Sequence, residues 1–316
     1  MEGIVVRKDS LCYIVSEITT KKRYECILAG RLKYYKKKDA LLDTRVFLQI
    51  KVGDHVKFDL NVDKYIINDL FERKNTLVRP DVSNIDLVLL VFSAVEPDFS
   101  FLLLDKLLIN CKVINSSAAL IITKIDLISK SNLDELKEKL NYYESNNLLN
   151  KILYIDNNLF DSVQDLDYLI NQKIVVLCGQ TGVGKSTIIN NLGIGLQVTN
   201  SISKFLGRGK HTTRNTELFD FLGGYLIDSP GFSAINIYFN SLNDIINTYS
   251  DFKKFSDLCK FLDCRHDSSK AYCGVIEAYN NKLILKERYE NYLSIIKEKI
   301  SYDSQGKNFN SAIHLK

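Results

Sequence analysis

Proline is scarce, three residues in 316, which excludes collagen-like and proline-rich extended classes. No window comes near the ~20 uninterrupted apolar residues of a membrane span, so no membrane partner is expected. Where a signal peptide needs an apolar run, residues 1–20 carry Arg7, Lys8, Asp9 and Glu17, and the expected location is the cytoplasm. The seven cysteines are an odd set in a long chain without a secretion signal. A disulfide framework is therefore not expected, and metal ligation by thiols stays open. Apolar residues are not in short supply: 46% hydrophobic against 25% charged allows buried cores and argues against long disordered stretches. At roughly 100 to 200 residues per domain, the length implies two or three domains.

The net charge of +4 is unevenly spread. Residues 1–80 hold 17 Lys+Arg against 11 Asp+Glu, and residues 81–316 hold 25 against 27. The basic excess includes Lys21-Lys22-Arg23, Arg31, Lys33 and Lys36 to Lys38. It is set among short β-rich runs at Gly3 to Val6, Cys12 to Ser16, Tyr24 to Leu28, Val46 to Ile50 and Val56 to Leu60. Five or six short strands in about 75 residues predict a small β-barrel, and Gly53-Asp54 is a hairpin signal. With Tyr34 and Tyr35 beside its lysines, such a barrel suits an RNA-binding OB-fold; a merely solvated lysine face is the other reading of the charge run.

From about residue 84 the texture changes. Ile85 to Phe92, Ala118 to Thr123, Lys151 to Ile155 and Lys173 to Cys178 are continuous apolar runs, as strands buried on both faces of a parallel sheet require. Helical patterns at about 99–110, 132–146 and 162–170 alternate with them, which predicts a doubly wound α/β domain entered at Pro80 and Asp81. Two further helical stretches, about 241–256 and 278–300, flank a Cys/His cluster, and Ser301 to Lys316 reads as a frayed polar tail.

Four motifs carry chemistry. Gly179-Gln180-Thr181-Gly182-Val183-Gly184-Lys185-Ser186 matches the phosphate-binding G-x-x-x-x-G-K-[ST], between a strand and the helical run that starts at Thr187. Its glycines let backbone N–H groups and a helix N-terminus point at a phosphate; Lys185 reaches the β and γ phosphates, and Ser186 ligates Mg²⁺. Asp228-Ser229-Pro230-Gly231 follows an apolar strand, placing an acidic residue for the metal and a glycine N–H for the γ-phosphate. Thr123-Lys124-Ile125-Asp126 ends another buried strand, as the guanine-reading [NT]-K-x-D does. Its carboxylate accepts from guanine N1–H and the exocyclic amine, which selects GTP or GDP over adenine nucleotides.

The base-reading motif precedes the phosphate loop, so the domain is circularly permuted and the chain leaves it just after D-x-P-G. Between Ser186 and Asp228 lies Gly207-Arg208-Gly209-Lys210-His211-Thr212-Thr213-Arg214. Thr212 or Thr213 is the switch ligand for Mg²⁺. Phe232 follows D-x-P-G where many GTPases carry a water-orienting Gln, which leaves His211 as the candidate to orient the attacking water.

Cys259-x4-Cys264-x-His266-x6-Cys273 places three thiols and an imidazole within 15 residues, a tetrahedral structural Zn²⁺ set with no open position. Cys12, Cys26, Cys111 and Cys178 lie on apolar patterns and are expected in cores.

The ordered combination of barrel, T-K-I-D, G-Q-T-G-V-G-K-S, G-R-G-K-H-T-T, D-S-P-G and C-x4-C-x-H-x6-C resembles the small-ribosomal-subunit biogenesis GTPase family over nearly the whole chain. The resemblance implies an OB-fold at 1–76, a circularly permuted P-loop GTPase domain at 77–236 and an α-helical zinc-binding domain with a polar tail at 237–316. It also implies a monomeric cytoplasmic protein that binds the 30S subunit and its 16S rRNA in late maturation, with hydrolysis stimulated by the subunit. Two departures stand out. The last zinc-ligand gap is one residue longer than the resemblance leads one to expect, and Asp156-Asn157-Asn158 occupies the second base-contacting place without a Ser-Ala pair. A non-catalytic RNA-binding adaptor, and a permuted GTPase serving the large subunit or another RNA, are the alternative readings.

Overall fold

The computed structural model describes residues 1–10, 12–30, 34–36, 45–47, 49–77, 81–156, 163–188, 216–228, 236–238, 242–267, 272–304 and 310–312. Alternation of inward apolar and outward polar side chains makes the N-terminal strands: β1 Glu2–Lys8, β2 Tyr13–Glu17 and β3 Arg23–Leu28. A short pair follows, β4 Tyr34–Lys36 and β5 Arg45–Phe47, and then β6 His55–Asn61 and β7 Lys64–Leu70. The long strands run in the order β1-β2-β3-β7-β6, with β6 returning to β1. All of these pairings are antiparallel except the parallel β3–β7. This is a closed five-stranded OB-fold barrel, and closure leaves no open strand edge. Val5, Val15, Cys26, Ile50, Val56, Phe58 and Ile67 fill it.

Two expectations for this region change. Lys64–Leu70 is a full strand that the five β-rich runs leave out; Asn68 and Asp69 take its less buried positions beside buried Ile67. Gly53-Asp54 forms a turn before β6, not a hairpin, because β5 pairs with β4 instead. The buried Asp54 carboxylate is the anchor of that turn. It accepts from Lys51 N (2.8 Å), from Arg73 through two contacts of 2.7 Å, and from the Ser83 hydroxyl (2.6 Å).

The molecule divides into two compact units, each assembled from separated pieces of chain. The first comprises residues 1–87, 164–177 and 189–232. Besides the barrel it holds α3 Val163–Ile170, β11 Ile174–Cys178, β12 Glu217–Phe221 and β13 Gly224–Asp228. Strand β13 is parallel to β11 and antiparallel to β12, and β12 meets β1 at Glu217 and Arg7. Arg23 approaches Glu217 (3.5 Å) and Asp220 (3.0 Å), while the Ser16 and Tyr225 hydroxyls lie 3.1 Å apart in a buried contact. The barrel is thus stitched to the strand pair that ends at Asp228.

The second unit comprises residues 88–163, 178–188 and 233–316. Strands β8 Leu87–Ser93, β9 Ser117–Thr123 and β10 Ile152–Tyr154 are the expected apolar runs, side by side in the order β10-β9-β8. Helix α1, Phe101–Val113, starts at the Ser100 cap and α2, Lys130–Ser145, at the Ser129 cap; each serine oxygen accepts a backbone N–H of the first turn, which satisfies one of the donors a helix start leaves over.

The two C-terminal helical stretches each break. The first becomes α4 Leu242–Thr248 and α5 Lys253–Ser256; the second becomes α6 Gly274–Asn280 and α7 Lys286–Ser304. The later break follows Asn281, where Lys282 takes φ +60, a conformation that ends a helix. These helices pack around Tyr249, Phe252, Val275, Tyr289, Tyr292 and Ile296. The segment from Ser301 keeps more order than a frayed tail: α7 runs to Ser304, and β15 Asn310–Ala312 pairs with β14 Asn236–Tyr238, since backbone pairing does not depend on side-chain polarity. No described helix is long and apolar enough to cross a membrane.

Candidate functional site

The phosphate loop leaves β11 at Cys178 and enters a helix at Lys185. A Cβ on Gly179 would sit 2.2 Å from the Val91 carbonyl oxygen, so only glycine allows that approach; Gly182 has φ +85 with open space beside it. Val183 is buried and fixes the loop from below, while Ser186 and Thr187 are exposed on the first helical turn. Ile188 N donates to Gly184 O (2.9 Å) as the helix begins. The result is a cradle of backbone amides at a helix start, with hydroxyls at its rim.

Lys185 folds back over this cradle. Its ammonium donates to the carbonyls of Gly179 (2.5 Å) and Gln180 (2.6 Å), and burial lowers its pKa. A cation held by neutral carbonyls in a partly desolvated place favours an incoming anion.

The end of β9 is tied to the same loop. Thr123 is buried, and its hydroxyl, with a single proton, donates to Val183 O at 2.7 Å; Phe92 O lies farther off at 3.3 Å. The threonine at the first position of T-K-I-D thus tethers the base-reading segment to the phosphate loop. Lys124, at φ +56, donates its ammonium to the Glu96 carbonyl, and Asp126 is exposed just beyond. Thr123→Ala would leave Val183 O buried without this donor, at a cost of about 1–3 kcal/mol. The expected result is a roughly tenfold loss of GDP affinity with Thr123→Ser near wild type, read by titration of a fluorescent nucleotide.

Other sequence candidates are less completely described. Asp228 ends β13, paired by register with Glu217. His211, Thr212, Thr213 and Gly231 lie outside the described residues, as do Asn157 and Asn158 after β10.

The cysteine–histidine set converges. The ligand atoms of Cys259, Cys264, His266 and Cys273 all lie within 4.8 Å of one another. His266 Nδ1 is 3.6 Å from Cys259 Sγ and 3.4 Å from Cys273 Sγ, and those two sulfurs are 3.8 Å apart. A tetrahedron built on ordinary Zn–S and Zn–N bonds has edges of about 3.8 Å between sulfurs and about 3.5 Å between sulfur and nitrogen. The residues therefore fit one structural Zn²⁺. Burial lowers the His266 pKa, which favours the neutral imidazole a metal needs, and burial together with the neighbouring thiols pushes Cys273 up to about 12. On the two sides of the last ligand gap, His266 has φ +56 and Tyr272 φ +62. Two tyrosines brace the loop from α7: Tyr289 donates to His266 O (2.8 Å) and Tyr292 to Arg265 O (2.6 Å). Sequence reading passes over these two, because tyrosines three apart on a helix look like ordinary core.

Comparison with known proteins agrees with this geometry. The RsgA GTPase family model matches residues 70–238. A small ribosomal subunit biogenesis GTPase RsgA from Phytoplasma mali is 41% identical over 290 residues, covering 90% of this chain and 92% of that protein. One of the same description from Onion yellows phytoplasma is 37% identical over 300 residues, covering 94% and 97%. Among solved structures, YloQ, a circularly permuted GTPase, superposes with a TM-score of 0.76 at 27% identity, covering 95% of each chain. YjeQ from Thermotoga maritima gives 0.74 at 30% identity, covering 95% of this chain and 98% of the other.

Proposed function

The chain belongs to the RsgA GTPase family, a GTP-hydrolysing enzyme by that membership, and we propose that it serves the biogenesis of the small ribosomal subunit as a cytoplasmic monomer. In this reading it binds the 30S subunit and its 16S rRNA through the basic barrel, and hydrolysis is stimulated by the subunit. The observation that carries the catalytic half is the Thr123 tether, which supports base reading and phosphate binding as one site.

Gly179 to Gly184 wrap the phosphates with amides, and Lys185 supplies the charge that offsets the developing negative charge of the transition state. Thr123, Lys124 and Asp126 read guanine, and Thr187 continues the helix start. Ser186, Asp228 and Thr212 or Thr213 would hold Mg²⁺, since their hard oxygen donors suit it, and the ion would offset negative charge on the phosphates. The Gly231 N–H senses the γ-phosphate, and His211 orients the water. Cys259, Cys264, His266 and Cys273 would hold Zn²⁺ as a structural ion.

Two measurements test this. Purified 30S subunits are expected to raise GTP turnover, whereas tight GTP binding with no stimulation points to an adaptor. His211→Ala is expected to keep GTP affinity and lose about 10²- to 10⁴-fold in single-turnover hydrolysis; an unchanged rate removes His211 from the chemistry.

A further inference from the structure

Helix α7 faces two ways at once. Tyr289 and Tyr292 hold the backbone of the metal-binding loop, while Glu287, Arg288 and Asn291 turn toward α1 and α2. Arg288 is fully buried, with its Nε and Nη2 on the two oxygens of Asp251 (3.0 Å each) and its Nη1 on Asp105 Oδ1 (2.6 Å). Asn291 and the Tyr143 hydroxyl also donate to Asp105, at 2.6 and 2.9 Å, and the Tyr142 hydroxyl donates to Asp251 at 3.0 Å. The guanidinium lies 3.9 Å over the Tyr249 ring.

A buried ion cluster of this kind is weak evidence for stability, because apolar replacements often serve as well. What it does impose is geometry: a planar fork and two carboxylates have few ways to fit. Asp105 sits in the second turn of α1, so fixing it fixes the start of that helix and the loop ahead of it. Ser93, at the end of β8, donates to Pro97 O of that loop (2.7 Å), Glu96 takes φ +50, and the Glu96 carbonyl receives the Lys124 ammonium. Lys124 adjoins Thr123, which holds the phosphate loop.

We propose that Arg288 is a positioning residue for guanine recognition, acting through Asp105 and the Glu96 carbonyl on Lys124, and that α7 thereby couples the metal-binding loop to the base-reading loop. The proposal rests on Thr123 to Asp126 being the guanine reader.

The test compares GDP with tripolyphosphate, which occupies the phosphate loop and carries no base, by displacement of a fluorescent nucleotide from the full chain. Arg288→Met is expected to weaken GDP about tenfold, within the range of coupling through packed networks, and to leave tripolyphosphate within about twofold. Asn291→Ala, which keeps the ion cluster, is expected to move GDP affinity in the same direction by about two- to threefold, with melting temperature and zinc content near wild type. Chelation of zinc lowers GDP affinity in the wild type and adds nothing in Arg288→Met, the non-additivity of residues on one path. Folded, zinc-loaded variants with wild-type GDP affinity overturn the proposal. So does a parallel loss of GDP and tripolyphosphate, which marks general loosening. A wild-type chain that binds ADP as well as GDP removes the guanine-reading premise itself, and is thereby told apart from a failure of Arg288 alone.

Discussion

Lys185→Met is expected to abolish measurable GTP turnover, with a loss of at least about 10²- to 10³-fold in kcat, the scale set by removing one donor to developing charge, and to weaken GTP binding as well. The methionine keeps the stem and deletes the ammonium that now spans the Gly179 and Gln180 carbonyls. Because the contact is to charge, it strengthens as negative charge gathers on the phosphates, so the larger loss falls on turnover. The same residue sets a pH dependence. Burial depresses its pKa in the free protein, and a bound phosphate raises it again. Binding then takes up a proton at alkaline pH, and GTP affinity falls as pH rises through the free-state pKa, which lies below the ordinary lysine value. Titrations at rising pH should show this slope in the wild type and none in Lys185→Met; equal slopes would assign the titration to another group.

Loss of the metal set carries the second large effect. Cys273→Ser, or chelation, is expected to lower the melting temperature by about 10 °C, since structural zinc contributes folding free energy directly and each kcal/mol shifts a domain of this size by about 2–4 °C. The destabilisation should concentrate in residues 259–273 and the facing side of α7, where Tyr289 and Tyr292 lose ordered carbonyls to donate to. Hydrogen exchange reads this locally: wild-type protection of α7 after zinc removal would mean that the helical core around Tyr249, Phe252 and Val275 holds the loop without metal.

The chemistry was legible because its motifs are local. A phosphate cradle needs its glycines in a row, and a Cys/His set declares its ligands by type. The buried parallel strands were legible too, since no polar residue interrupts them. What stayed hidden depends on partners distant in sequence. Strand β7 ends in the polar pair Asn68-Asp69 before Leu70, and Asp54 becomes an anchor only with Arg73 and Ser83 beside it. Arg288 sits in the charged stretch Lys286-Glu287-Arg288, where nothing marks it as a fully buried cation. The Thr123 hydroxyl likewise acquires meaning only when Val183, 60 residues on, is beside it.

The stitching of each unit from three separated pieces of chain bears on how the protein is made. During synthesis the barrel can close once residue 70 has emerged, because all five of its long strands lie before that point. Its outer partner β12 arrives only some 150 residues later, as the interval from Leu70 to Glu217 requires. The second unit waits longer still, since β14 and β15 stand near opposite ends of its final piece. Such late, long-range closures slow folding and leave early apolar strands such as Leu87–Ser93 uncovered on the nascent chain, so the permuted order that places the metal-binding helices after Asp228-Ser229-Pro230-Gly231 is bought with a prolonged interval of exposure to aggregation and to chaperones.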